Sequence, residues 1–153
     1  MNAFERFNIR TLSPTLLAQW DTAPATLILK RVYGHKTKAN ANMWRGDAVE
    51  AGLQLYLHNK AHPDAVSNAK KLAIDTFWHR AEGEVTEETE AAAELLPGMV
   101  EQGVTFLDGL SSRVMASQLA AEGFIDGINA PFWGKMDFVL EDKTIIELKT
   151  TTR

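Results

Sequence analysis

The stretch GKMDFVLEDKTIIELKTTTR, residues 134–153, holds three side chains suited to chemistry: Asp137, Glu147 and Lys149. All three sit in strand-like surroundings, where alternate side chains face opposite ways. Glu147 and Lys149 therefore share one face, while Ile146 and Leu148 share the other. In the preceding segment Asp137 alternates with Phe138 and Leu140. A three-residue loop, Glu141–Asp142–Lys143, pairs residues whose numbers sum to 284 and sets Asp137 opposite Glu147. A two-residue loop would throw the acids onto opposite faces, and no Asn-Gly or Asp-Gly asks for one.

Two directly opposed carboxylates lie about 5 Å apart at Cβ and repel unless a cation sits between them. Hard oxygen ligands favour Mg²⁺ or Mn²⁺. Lys149, on the same face, would hold a phosphate oxygen and stabilise an attacking hydroxide. The chemistry that fits is phosphodiester hydrolysis. The bland alternative is a solvated edge hairpin with a surface ion pair between Glu147 and Lys149.

Other chemistry-bearing residues read more weakly. His58 and His62 stand four apart, but Pro63 follows at once and no H-E-x-x-H motif is completed, so both read as helix C-terminal residues. His35 falls in a polar loop and His79 at a helix end. Asp126, between Gly123 and Gly127, reads as a turn. The four tryptophans, Trp20, Trp44, Trp78 and Trp133, read as core or its rim rather than as stacking platforms for bases. Arg45, Lys36 and Lys38 are the candidates for phosphate contact.

The elements that must position these residues follow from caps and periodicity. Ser13 before Pro14 predicts a helix over about 14–20. ATLILKRVY continues as a second helix that stops near Gly34, and GHKTKANAN reads as a loop. Val49, Leu53 and Leu57, with Tyr56 beside them, form a helical stripe in MWRGDAVEAGLQLYLHNK. A second stripe, Val66, Leu72, Ile74 and Phe77, follows a start at Pro63–Asp64. Thr86 caps EVTEETEAAAELL, and Pro97–Gly98 is expected to end that helix before another, MVEQGVTFLDGL. After Ser111–Ser112 the segments RVMASQLAAEGFIDG, PFWGKMDFVL and KTIIELKT read as strands separated by turns.

The expectation is one domain over 1–153, α/β (α+β) in class: helical over 1–111, then an antiparallel three-stranded meander over 112–151. A chain of 153 residues with 45% hydrophobic content can bury a core, and with no cysteine it has neither disulfides nor an iron–sulfur cluster. No apolar run has signal-peptide or membrane-spanning length, so no membrane partner and a cytoplasmic location are expected. Net charge is −4 but uneven: residues 1–80 are basic, and 81–112 hold eight acids and no Lys or Arg. The basic part could face phosphates while the acidic helix stays away.

Three motifs in order resemble the RecB-like exonuclease branch of the PD-(D/E)xK nuclease superfamily. They are Gly46-Asp47-Ala48-Val49-Glu50, then Gly134-Lys135-Met136-Asp137, then Glu147-Leu148-Lys149-Thr150. LSPTLLAQW is similar to that branch's N-terminal segment. The resemblance spans roughly residues 11–151. It implies a restriction-endonuclease-like αβββ core with a helical N-terminal elaboration, forming part of such a nuclease domain. Glu50, Asp137 and Glu147 would hold Mg²⁺ (or Mn²⁺), and Lys149 would position the nucleophilic water. The implied activity is metal-dependent cleavage of DNA, exonucleolytic, in phage or bacterial recombination or repair. The alternative is a non-cleaving DNA-binding or protein-interaction module with a nuclease-like fold. Members of the branch carry a further helix and strand after the lysine, expected here from a longer gene product or a second chain. A recombination protein is the other partner considered.

Overall fold

A computed structural model describes residues 9–36 and 38–150. Helices and a small antiparallel sheet make the chain α+β. It divides into two compact units: one takes in the segments up to Lys38 and Val114–Ile146, the other Ala39–Arg113 and the residues from Glu147 on.

The first unit holds the sheet. Helix α1, Pro14–Thr22, starts as its cap predicts: the Ser13 hydroxyl accepts a hydrogen bond from the Leu16 amide at 3.2 Å, and Pro14 occupies the first turn. Helix α2, Pro24–Arg31, follows after Ala23. Upstream, Leu12 makes a parallel bridge to Phe132 through two backbone hydrogen bonds, 2.8 Å to the Pro131 carbonyl and 2.7 Å from the Trp133 amide. That tie brings Leu12, Leu16, Leu27 and Ala130 into one buried cluster, with Ile9, Ile128 and Phe132 packed against it.

The sheet runs β1 (Val114–Gly123), β2 (Phe132–Leu140), β3 (Ile145–Ile146), each antiparallel to the next. The β2–β3 pairs are Phe138↔Ile146 and Val139↔Ile145, both on the register summing to 284. The loop is the three-residue Glu141–Asp142–Lys143. Lys143 donates to the Leu140 carbonyl at 2.9 Å and then turns left-handed at φ 68°, the conformation that closes such a loop. The Asp142 carboxylate accepts from the Thr144 amide at 2.9 Å, and that bond holds its pKa below the ordinary carboxylate value.

One strand expectation needs correcting. KTIIELKT does not run as a strand to its end, because β3 stops at Ile146. Beyond it Leu148 and Thr150 are half-buried, and they line a cleft with Val49 and Met99 of the helical unit. Apolar cover on helices replaces a sheet edge for these residues.

The second unit is built on helices α3 (Ala41–Asn59), α4 (Ala65–Arg80) and α5 (Glu87–Asp108). The α3 stripe is largely as expected, with Val49, Leu53 and Tyr56 buried. The α4 stripe is not. Its buried row is Ala65, Ala69, Ala73 and Phe77, while Val66, Leu72 and Ile74 lie at the margin. Small side chains win that position because α3 comes close: a Cβ on Gly52 would meet the Ala69 carbonyl oxygen at 2.7 Å. Phe77 closes the row, edge-on to Trp44 at 6.2 Å and to Trp78 at 5.3 Å between ring centroids.

The expected break at Pro97–Gly98 is also absent. Helix α5 continues through Pro97. Proline removes one backbone donor and costs about 3 kcal/mol inside a helix. The buried row Ala92, Leu96, Val100 and Val104, every fourth residue across the proline, offsets that cost. Thr86 caps the start in a reciprocal pair of hydrogen bonds with Thr89.

The C-terminal ends of α3 and α5 are tied by polar groups. The Tyr56 hydroxyl meets both Asp108 carboxylate oxygens, at 2.7 and 2.8 Å, and Lys60 reaches the same carboxylate at 2.6 Å. Burial, and then the Asp108 hydrogen bond, push the Tyr56 pKa up to about 12, while Lys60 and then Tyr56 hold Asp108 below its ordinary value. A raised tyrosine pKa means the folded protein keeps the proton longer. The stability it contributes is whole below pH 10 and is lost as pH rises through 12. Tyr56→Phe should cost about 1–2 kcal/mol in urea unfolding at pH 7. The gap to wild type should close between pH 10 and 12. An undiminished gap at pH 12 would count against the hydroxyl–carboxylate tie.

Candidate functional site

The hairpin β1–β2 positions the first candidate acid. Asp137 is half-buried on β2, flanked along its own strand by the buried Phe138 and the half-buried Met136. The pairs Ser117↔Phe138 and Leu119↔Met136 leave Gln118 of β1 standing across from it. The Gln118 amide nitrogen donates to Asp137 Oδ1 at 3.4 Å. Its oxygen, Oε1, is buried with no hydrogen-bond partner among the described residues. Gln118 also carries a positive φ of 55°, which a residue other than glycine rarely adopts. An acid beside an orphaned amide oxygen is a donor pair of the kind that hard divalent cations take. The local chemistry thus fits Mg²⁺ or Mn²⁺.

Helix α3 carries Arg45, Gly46 and Glu50. Glu50 is half-buried and accepts a hydrogen bond from Gln54, one turn on, at 2.8 Å. The guanidinium of Arg45 is not presented to solvent as a phosphate contact requires. Arg45 is only 5% exposed, its Nη2 donates to the Thr150 carbonyl at 3.4 Å, and its Nε has no partner among the described residues. Arginine at this position anchors the chain's last described residues to α3. Lys36 and Lys38 are both exposed, outside any helix or strand.

Glu147 and Lys149 are both exposed and pair with each other. Beside Lys149, the residues Val49, Met99, Phe106 and Leu148 wall a cleft of about 220 Å³, with Gln102 and Thr150 at its edge. Among the described residues, no three or more His, Cys, Asp or Glu side chains are grouped to hold a metal ion. His58 Nδ1 donates to the Gln54 carbonyl at 2.9 Å, and His62 Nδ1 accepts from the Asp64 amide at 3.1 Å. His58 lies in the last turn of α3 as expected, whereas His62 lies beyond the helix, in the turn that leads to α4. Trp44 is buried, Trp78 half-buried, and Trp20 and Trp133 are exposed.

Gln118 is the residue that sequence reading passed over. The long connection between Gly123 and Phe132 leaves the β1–β2 register unreadable from sequence, and the left-handed backbone of Gln118 has no local signal. Family models, curated proteins and solved structures offered no match to this chain. Among the described residues no helix is long and apolar enough to cross a membrane.

Proposed function

We propose that the protein is a metal-dependent deoxyribonuclease of the PD-(D/E)xK type, acting on DNA ends. The observation that carries this reading is the β2–β3 hairpin. Its three-residue loop sets the register Phe138↔Ile146 and Val139↔Ile145 that the motif spacing asks for, and the ladder ends one residue before Glu147. In this reading Asp137 anchors the cation, Glu50 and Glu147 would be its further ligands, and Lys149 would stabilise negative charge on the attacked phosphate. Bound Mg²⁺ or Mn²⁺ would supply a Lewis acid and a water of lowered pKa. Lys36 and Lys38 would hold the backbone of the nucleic acid by charge alone.

The test is to incubate the protein with linear duplex and single-stranded DNA and titrate Mg²⁺ or Mn²⁺. Nucleotide release that requires the metal and is absent in Asp137→Asn is expected. The metal should also stabilise the wild-type fold, by about 2.7 kcal/mol at a hundredfold excess over its dissociation constant, and leave Asp137→Asn unmoved.

A second reading has its own observation. Glu147 and Lys149 are spent on each other at an exposed position, as in a surface ion pair. A DNA-binding or protein-interaction module that does not cut would look the same there. DNA binding without cutting in either metal would put that reading in place of the first.

A further inference from the structure

Gln118 combines three features that a strand residue ordinarily lacks. It sits in the interior of β1 with a left-handed backbone at φ 55°. It stands across the ladder from Asp137 and donates to it at 3.4 Å. Its amide oxygen is buried and meets no donor among the described residues.

Two of these features, the left-handed backbone and the unpartnered oxygen, have a cost. A non-glycine residue in the left-handed region is strained, and strain of this kind persists only where the surroundings over-determine it. A buried acceptor without a donor loses its water and gains nothing in return. Backbone demand alone would be met better by glycine or asparagine. Strand stability alone would be met better by a β-branched residue. Glutamine at this position makes physical sense if its oxygen meets a partner other than the described protein groups. The neighbouring group is a carboxylate, and a carboxylate beside an amide oxygen favours a cation.

We infer that Gln118 Oε1 is an oxygen ligand of a divalent-cation site anchored by Asp137. This rests on the cation-binding part of the proposed function and adds a ligand from β1 to it. The amide of glutamine is a neutral hard donor of the kind that Mg²⁺, Mn²⁺ and Ca²⁺ accept alongside carboxylates. Its N–H₂ group steadies the Asp137 carboxylate while its oxygen faces the cation. The turn in the backbone at Gln118 sets where that oxygen points.

The experiment is calorimetric titration of the protein with MnCl₂, with melting followed in chelator-treated samples. Wild type, Gln118→Asn, Gln118→Glu and Asp137→Asn are compared. Asparagine tolerates the left-handed backbone and keeps an amide, but it withdraws the oxygen by one methylene. Gln118→Asn should therefore melt at or above wild type without metal and bind Mn²⁺ at least tenfold more weakly. Glutamate keeps the length and the oxygen while losing the N–H donor to Asp137. Gln118→Glu should retain Mn²⁺ binding at wild-type strength or better and regain with metal the stability it lacks without it.

A merely structural glutamine gives the opposite pattern. Gln118→Asn would then melt lower without metal and bind Mn²⁺ as wild type does, and the inference would fall. If Asp137→Asn loses Mn²⁺ but Gln118→Asn does not, Gln118 is no ligand while the proposed function stands. If wild type and Asp137→Asn titrate alike, no cation site exists at Asp137, and the inference falls together with the metal part of that function. If Mn²⁺ binding depends on Gln118 and yet DNA is never cut, the nuclease reading fails and the cation site stands.

Discussion

Replacing Phe77 by alanine should cost about 3–5 kcal/mol of folding stability, the usual loss when a fully buried phenylalanine is truncated. Phe77 is 0% exposed and lies edge-on to both Trp44 and Trp78. It also ends the buried alanine row of α4, which leaves no larger neighbour in that row to fill the space. A helix whose other inward residues are alanines owes much of its anchorage to the one large side chain. For a domain stable by some 5–15 kcal/mol, the loss is a large share. Phe77→Leu, which keeps most of the volume, should cost less than half as much. Urea unfolding followed by circular dichroism measures both. A Phe77→Ala loss below about 1 kcal/mol would mean that the packing of α3 on α4 does not depend on this ring.

The second large effect belongs to the proposed chemistry. Lys149→Ala should depress turnover on linear DNA by roughly 10²–10³-fold while changing DNA affinity little. Lys149 is exposed and its ammonium is paired with Glu147, so the fold does not need it. Its role in the proposed reaction is to meet charge that grows during attack, and such a contact is felt in kcat more than in binding. Lys36→Ala together with Lys38→Ala should behave differently, weakening DNA binding at every sequence and flattening its dependence on salt. Equal losses of affinity and turnover in Lys149→Ala would recast the lysine as a backbone contact.

Burial of Arg45 changes what its substitution tests. Arg45→Ala removes the hydrogen bond to the Thr150 carbonyl and empties a buried position on α3. Any effect on DNA would reach it through the residues after Glu147.

Local rules made much of the fold legible from residues alone. Ser13 and Pro14 start α1, and Thr86 starts α5, because capping is settled within a few residues of the chain. The three-residue loop at Asp142 could be read for the same reason, and loop length fixes hairpin parity. Candidate residues could also be chosen by type and spacing, although spacing alone does not say what each side chain faces.

Tertiary structure decided the rest. Whether Pro97 ends a helix depends on what the continuing helix can bury, and the row from Ala92 to Val104 was worth more than one lost donor. Whether α4 turns its aliphatic or its alanine face inward depends on how near α3 comes, which Gly52 and Ala69 set between them. Where β3 stops depends on the cover that Leu148 and Thr150 find beside Val49 and Met99. Arg45 is buried because the chain it holds returns to α3 from 105 residues away. Gln118 comes to stand across from Asp137 only because the two strands pair in that register. Hydrogen bonds between near neighbours are written locally, whereas burial is a property of the partner that arrives, and the partner is chosen by the whole chain.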